Sequence, residues 1–207
     1  MTRRIALFVE GDTERTLPAF FHKWLDPQLP EKSKVGITAV KFQGVSNFLD
    51  EVPKKVESYL NEGRANFVVG LVDLYGIPSY RIDLSTYASI RQKVSAARRY
   101  IRHLVPSQLR DRFRQHFAVH EVEAWLLAYP ERWPATVREQ IQKRPPEQVD
   151  FKEPPARFLK RILGGRYKKT VHAKNLFPEV DPQSAIDTCP FLKLLAEDLL
   201  TIAKRLQ

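Results

Sequence analysis

Acidic residues stand at the ends of apolar runs in several places along this chain. Glu10 follows Ile5-Ala6-Leu7-Phe8-Val9, and Asp73 follows Phe67-Val68-Val69-Gly70-Leu71-Val72. Glu121 and Glu123 come just after the stretch 113–119. If each run is a strand, these carboxylates sit where open α/β sheets place their chemistry, at the C-terminal ends of the strands. Gathered at one edge they repel one another, so a cation is their natural partner. Carboxylate, water and phosphate oxygens are the ligands Mg²⁺ prefers, because the small hard ion keeps much of its hydration; Mn²⁺ is the natural substitute.

The residues around these acids carry further signals. In Glu10-Gly11-Asp12-Thr13-Glu14, Gly11 permits a sharp turn. Asp12 or Thr13 suits a helix cap there, and Glu14 suits the positive end of the helix. His120-Glu121 invites a zinc-protease reading, but no second His completes that motif. His116 and His120, four residues apart on a strand, would lie about 13 Å from each other, too far to share an ion. His120 is then either a hydrogen-bonded structural residue or, at an active edge, a group that contacts phosphate or shuttles a proton.

The elements that must position these residues follow from hydrophobic spacing. The continuous apolar runs ending at Val9 and Val72 fit strands covered on both faces. Residues 35–42 and 113–119 read as two further strands. Helices are expected over residues 13–25, 45–60 with a bend at Pro53, 85–103, and 190–206, with another beginning near Glu121. Gly63 suits a left-handed helix end after Asn61-Glu62. Strands alternating with helices argue for a largely parallel α/β sheet. Past Trp133-Pro134 the composition changes, with Lys143-Arg144-Pro145-Pro146 and Pro154-Pro155 marking irregular connections. A boundary is expected near residue 130, between an α/β domain over residues 1–130 and a basic helical extension over residues 131–207 packed on it. Trp125 and Trp133 are assigned to packing.

The chain has 207 residues, and its 34 Lys and Arg against 24 Asp and Glu leave a net charge of +10. An excess of this size favours polyanionic partners, nucleic acid first. The apolar run after Met1-Thr2-Arg3-Arg4 stops at Glu10, too short for a signal-peptide core or a membrane span. Cys189 is the lone cysteine, without zinc-ligand spacing around it, which fits a reduced thiol in the cytoplasm. Two basic groups are the candidate nucleic-acid contacts: Arg91, Arg98 and Arg102 along one helix, and Arg166, Lys168 and Lys169 in a later run.

Val9-Glu10-Gly11-Asp12-Thr13-Glu14, Val72-Asp73-Leu74-Tyr75-Gly76 and His120-Glu121-Val122-Glu123-Ala124-Trp125 resemble the signature segments of a bacterial Toprim-like family, domain of unknown function 4276. Tyr167-Lys168-Lys169 and Cys189-Pro190-Phe191 resemble its C-terminal pattern, so the resemblance covers most of the chain. It implies a Toprim-like, largely parallel sheet flanked by helices with a C-terminal helical extension. Toprim domains serve topoisomerases, primases, small nucleases and the nuclease arms of overcoming-lysogenization-defect proteins, using a Glu after the first strand and an Asp-x-Asp after a later one. By that resemblance Glu10 and Asp73 take the two roles. Tyr75 departs from the pattern, standing where the second Asp is expected, and Glu121 or Glu123 would supply the missing carboxylate. The expected catalytic set is therefore Glu10, Asp73, Glu121 and Glu123, with Glu10, Asp73 and Glu123 as ligands of Mg²⁺ or Mn²⁺. The implied activity is cleavage of DNA or RNA, with a structural-maintenance-type ATPase as partner and a role in phage defence. A scaffold that has lost metal chemistry and only binds nucleic acid or docks an ATPase is the alternative.

Overall fold

The computed structural model of the chain describes residues 3–142, 147, 154–165 and 174–207. The expected strands form as β1 (Arg4–Val9), β2 (Gly36–Lys41), β3 (Phe67–Asp73) and β4 (Phe113–Ala118). They make one parallel sheet in the order β2-β1-β3-β4. β1 and β3 are the central strands, covered on both faces, which is why they read as unbroken apolar runs. β2 lies at an edge, and its buried Ile37 is flanked by exposed Gly36 and Thr38.

Alternation along the strands divides the core in two. Ile5, Leu7, Val9, Val69 and Leu71 face one layer, and Ala6, Phe8, Val68 and Val72 face the other. The second layer is made by α2 (Val45–Asn61) and α3 (Ile90–Leu104). The first holds α1 (Leu17–Leu25), α4 (Glu123–Leu127), α5 (Ala135–Gln142), α6 (Pro155–Ile162), α8 (Pro182–Thr188) and α9 (Pro190–Arg205); α7 is the short Lys174–Leu176. This arrangement is what right-handed crossovers require: β1 to β2 runs one way along the sheet, β2 to β3 and β3 to β4 the other, so α1 lies opposite α2 and α3.

Helix starts differ from the expectation in two places. Residues 13–25 do not form one helix: Thr13–Thr16 is a 3₁₀ turn and α1 begins at Leu17. A helix begun at Thr13 would put Pro18 beyond its first turn, where the missing N–H breaks the ladder; starting at Leu17 makes Pro18 harmless. Likewise Asp83 caps a separate turn, Leu84–Thr86, by accepting from Ser85 N at 2.9 Å. α3 then starts at its own capping box, in which Gln92 N donates to Ser89 Oγ and Ser89 N donates to Gln92 Oε1. After α2, Gly63 takes the expected left-handed conformation at φ 68°.

The C-terminal helices are integral to the sheet's cover. His116 of β4 and Asp198 of α9 are paired at 2.8 Å. Glu147 lies buried where Trp125 Nε1 and Phe191 N each donate to its carboxylate at 2.8 Å. Cys189, the residue that precedes α9, provides no side-chain cap, so Glu147 supplies the acceptor from outside the helix. Burial raises the Glu147 pKa to about 7 and, with Glu147 beside it, pushes the Cys189 thiol up. Among the described residues no helix is long and apolar enough to cross a membrane.

Candidate active site

The direction of the chain reverses between β1 and β3: from β1 it steps outward to β2, and from β3 outward to β4. Such a switch point opens a crevice at the C-terminal ends of the two strands. Glu10 leaves β1 there and Asp73 ends β3, and Asp73 N donates to Glu10 Oε2 at 3.4 Å. The Glu10 backbone is held from the other side, since Gly44 N at the start of α2 donates to Glu10 O at 3.3 Å. Both side chains are partly buried. The turn after Asp73 comes close, because a Cβ on Gly76 would lie 3.6 Å from Asp73 Cβ and 3.8 Å from Glu10 Oε2.

The rest of the first motif closes this corner. Glu14 is buried and accepts from Gly11 N at 3.1 Å, so its carboxylate folds back on the turn beside Glu10. The sequence assigned Glu14 only to the helix end; its position four residues after Glu10 was the available signal. Asp12 does not cap with its side chain. It pairs with Lys41 at the end of β2 at 2.8 Å and with Arg15 at 3.8 Å, and the hydrogen bond from Lys41 holds its pKa below the usual carboxylate range.

The acids after β4 take other positions. Glu121 Oε2 accepts from Ala156 N at 2.8 Å, in the first turn of α6, where the helix dipole favours a negative group. Glu123 opens α4 and is fully buried, as is every residue of that helix. Among the described residues no three of His, Cys, Asp and Glu are grouped to hold one ion, so the expected convergence of Glu10, Asp73 and one of Glu121 and Glu123 is not formed. The reason is the path of the chain: after Ala118 it turns under the sheet, and Val122, Trp125, Leu126 and Leu127 draw these acids into the layer of α1 and α9.

His120 reaches the edge instead. Its ring stacks on Tyr75 with centroids 5.3 Å apart and planes 17° from parallel, and Lys93 Nζ of α3 lies 5.4 Å from the Tyr75 centroid. The position where a second Asp was expected therefore carries an aromatic ring bearing a cation. Glu10 and Asp73 are the acids at this edge that could serve a small hard cation, since Mg²⁺ is commonly bound through one or two carboxylates and keeps several waters.

The basic stripe follows α3 away from this edge. Arg91 is in the first turn of α3 and, with Arg98, Ser95, Phe191 and Leu194, lines a cleft of about 680 Å³ between α3 and α9. Arg98 is half-buried and its Nε donates to Gln115 O at 3.1 Å, so it is bound to β4 as well as turned to the cleft. Arg102 faces Asp111 at 3.7 Å, beside the start of β4 at the opposite edge of the sheet. Arg166, Lys168 and Lys169 lie outside the described residues. Trp125 and Trp133 are core residues, as expected.

The family described as domain of unknown function DUF4276 matches over residues 9–200. No curated protein matches the chain. Among solved structures, the C-terminal region of the Burkholderia pseudomallei OLD protein is similar with a TM-score of 0.52 and 17% identity, over all of both chains. The C-terminal region of the Xanthomonas campestris pv. campestris OLD protein aligns with a TM-score of 0.49 and 19% identity, over 100% of this chain and 97% of that one. The first of these shows a shared fold.

Proposed function

Since the chain belongs to the DUF4276 family, we propose that it is a Toprim-like nuclease that depends on Mg²⁺, with Mn²⁺ as substitute, and cleaves phosphodiester bonds of DNA or RNA. The observation that carries this reading is that Glu10 and Asp73 both stand at the switch point between β1 and β3, where the Asp73 backbone N–H donates to Glu10 Oε2 at 3.4 Å. In this reading Glu10 and Asp73 hold the cation, which when bound lowers the pKa of a water and offsets charge on the phosphate. Glu10, whose carboxylate accepts from the Asp73 N–H and whose backbone carbonyl accepts from the Gly44 N–H, takes the proton of the attacking water. The water oxygen bonds to phosphorus, the bond from phosphorus to the leaving oxygen breaks, and that oxygen is protonated by His120 or by solvent. Lys93 and Arg91 bring positive charge to the phosphate backbone from α3. An ATPase of the structural-maintenance type and a role in phage defence complete the proposal.

The test is cleavage of mixed DNA and RNA by the parent, Glu10→Gln and Asp73→Asn, with Mg²⁺, Mn²⁺ or chelator, alone and with any genomically adjacent ATPase. Both variants are expected to lose at least about a hundredfold in rate while still binding substrate, since an amide keeps the shape but neither accepts the proton nor neutralises the cation. Equal residual cleavage in parent and variants overturns the reading. The second reading, a non-catalytic nucleic-acid-binding or ATPase-docking module, is favoured by Tyr75 in the place of a carboxylate. It requires that the parent bind but never cleave under any of these conditions.

A further inference from the structure

Among the described residues the exposed large hydrophobic side chains are Tyr75, Tyr80 and Leu194, and two of these follow Asp73 within one loop. Tyr80 is the most exposed, at 76%. Its exposure does not come from a slack loop. Ile77 and Leu84 on either side are buried, Arg81 N donates to Pro78 O at 2.9 Å, and Asp83 ties the following turn. The neighbouring Arg81 is fixed by an ion pair with Asp50 of α2, and its guanidinium lies 5.7 Å from the Tyr80 centroid. The fold thus holds an aromatic ring out in water, braced by a cation, on the loop that leaves the carboxylate edge. Tyr75, nearer the carboxylates, carries His120 and Lys93 against its ring.

A ring presented in this way matches one ligand chemistry closely: the flat face of a nucleobase, which gains from stacking whatever its sequence, beside cations that meet the backbone. A base inside a duplex has both faces covered by its neighbours and cannot use the ring. We propose that Tyr80 is a stacking platform for an unpaired base, and that the substrate class of the Glu10–Asp73 site is single-stranded or frayed nucleic acid. The inference rests on the nuclease reading of that site and adds the strandedness it selects.

Binding is measured by fluorescence anisotropy with a labelled single-stranded DNA, a single-stranded RNA and a matched DNA duplex, in Ca²⁺ to hold cleavage down, for parent, Tyr80→Ala and Tyr80→Phe. The parent is expected to bind at least one single strand about fivefold or more tighter than the duplex. Tyr80→Ala is expected to weaken that single strand about tenfold, with Tyr80→Phe restoring it. The DNA and RNA arms decide which sugar the site takes. The proposal is overturned by a duplex that binds as well as either single strand, or by Tyr80→Ala retaining the parent's affinity. If Glu10→Gln still abolishes cleavage in that case, the nuclease reading stands and only the strandedness falls. Absence of binding to all three probes overturns both.

Discussion

At Gly76 a single hydrogen stands where any other side chain would begin. A Cβ there would meet Val45 Cγ2 at 2.9 Å and crowd the space beside Glu10 Oε2. Gly76→Ala is therefore expected to cost about 1–3 kcal/mol through overpacking and to lower metal-dependent cleavage at least about tenfold. Thermal unfolding and a cleavage assay on the same preparation check it, and full activity in the variant would mean that the turn plays no part in shaping the site. The places of Glu10 and Asp73 were legible in the sequence for a physical reason: a continuous apolar run marks a buried strand, and the next acid must emerge at its end. Glu121 and Glu123 were not, because the run 113–119 says where β4 stops but not that the chain then dives into the core. Glu147 was less legible still. The one hint was the start of α9, where Cys189 and Pro190 offer no oxygen cap and an acceptor had to come from elsewhere.

Among the described elements, α9 is held through two titratable contacts, Asp198 to His116 and Phe191 N to Glu147. Burial lowers the His116 pKa below its ordinary 6.5, against the pull of Asp198, while the hydrogen bond from His116 lowers Asp198; Arg98 and Arg114 act on both in the same direction. Groups with depressed values stabilise the fold above their unfolded pKa and lose that contribution as pH falls. Glu147 has the opposite sign: raised from 4.5 to about 7, a shift worth about 3 kcal/mol, it favours the fold below 4.5 and withdraws that support as pH rises through 7. Between pH 7.5 and 5 the two trends oppose each other. His116→Gln is expected to leave a stability that increases on acidification, and Glu147→Gln one that decreases below about pH 6.5. Denaturant melts across this range decide, and identical profiles for the two variants would exclude the assignment. Element order itself was readable, because Phe48, Leu49, Val52, Val56 and Leu60 keep helical spacing and the strands are unbroken. The boundaries that moved did so at Pro18 and at the Ser89–Gln92 box, where local chemistry overrides apolar periodicity.

Over the whole molecule, a net charge of +10 coexists with carboxylates at one sheet edge. The pairs Asp12–Lys41, Asp50–Arg81, Glu62–Arg64 and Asp111–Arg102 engage acids with bases across the surface and leave the excess positive. Binding to a single strand is therefore expected to weaken with salt, with a log–log slope of about −2 for three phosphate contacts. Affinity that is flat from low to high salt would remove the backbone from the interface. Arg98→Ala is a poor probe of that slope, since Arg98 also holds the edge strand through Gln115 O. The shared core has one more consequence, and it concerns time. The sheet face formed by Ile5, Leu7, Val69 and Leu71 is closed in part by Leu192, Leu195, Leu199 and Ile202 of α9. During synthesis from the N-terminus, β4 is made about 90 residues before α9 is complete, an interval of roughly 4–18 s at ~5–20 residues per second. Throughout it the nascent sheet has all its strands and an unfinished cover, so a ribosome that stalls in this stretch leaves an aggregation-prone chain.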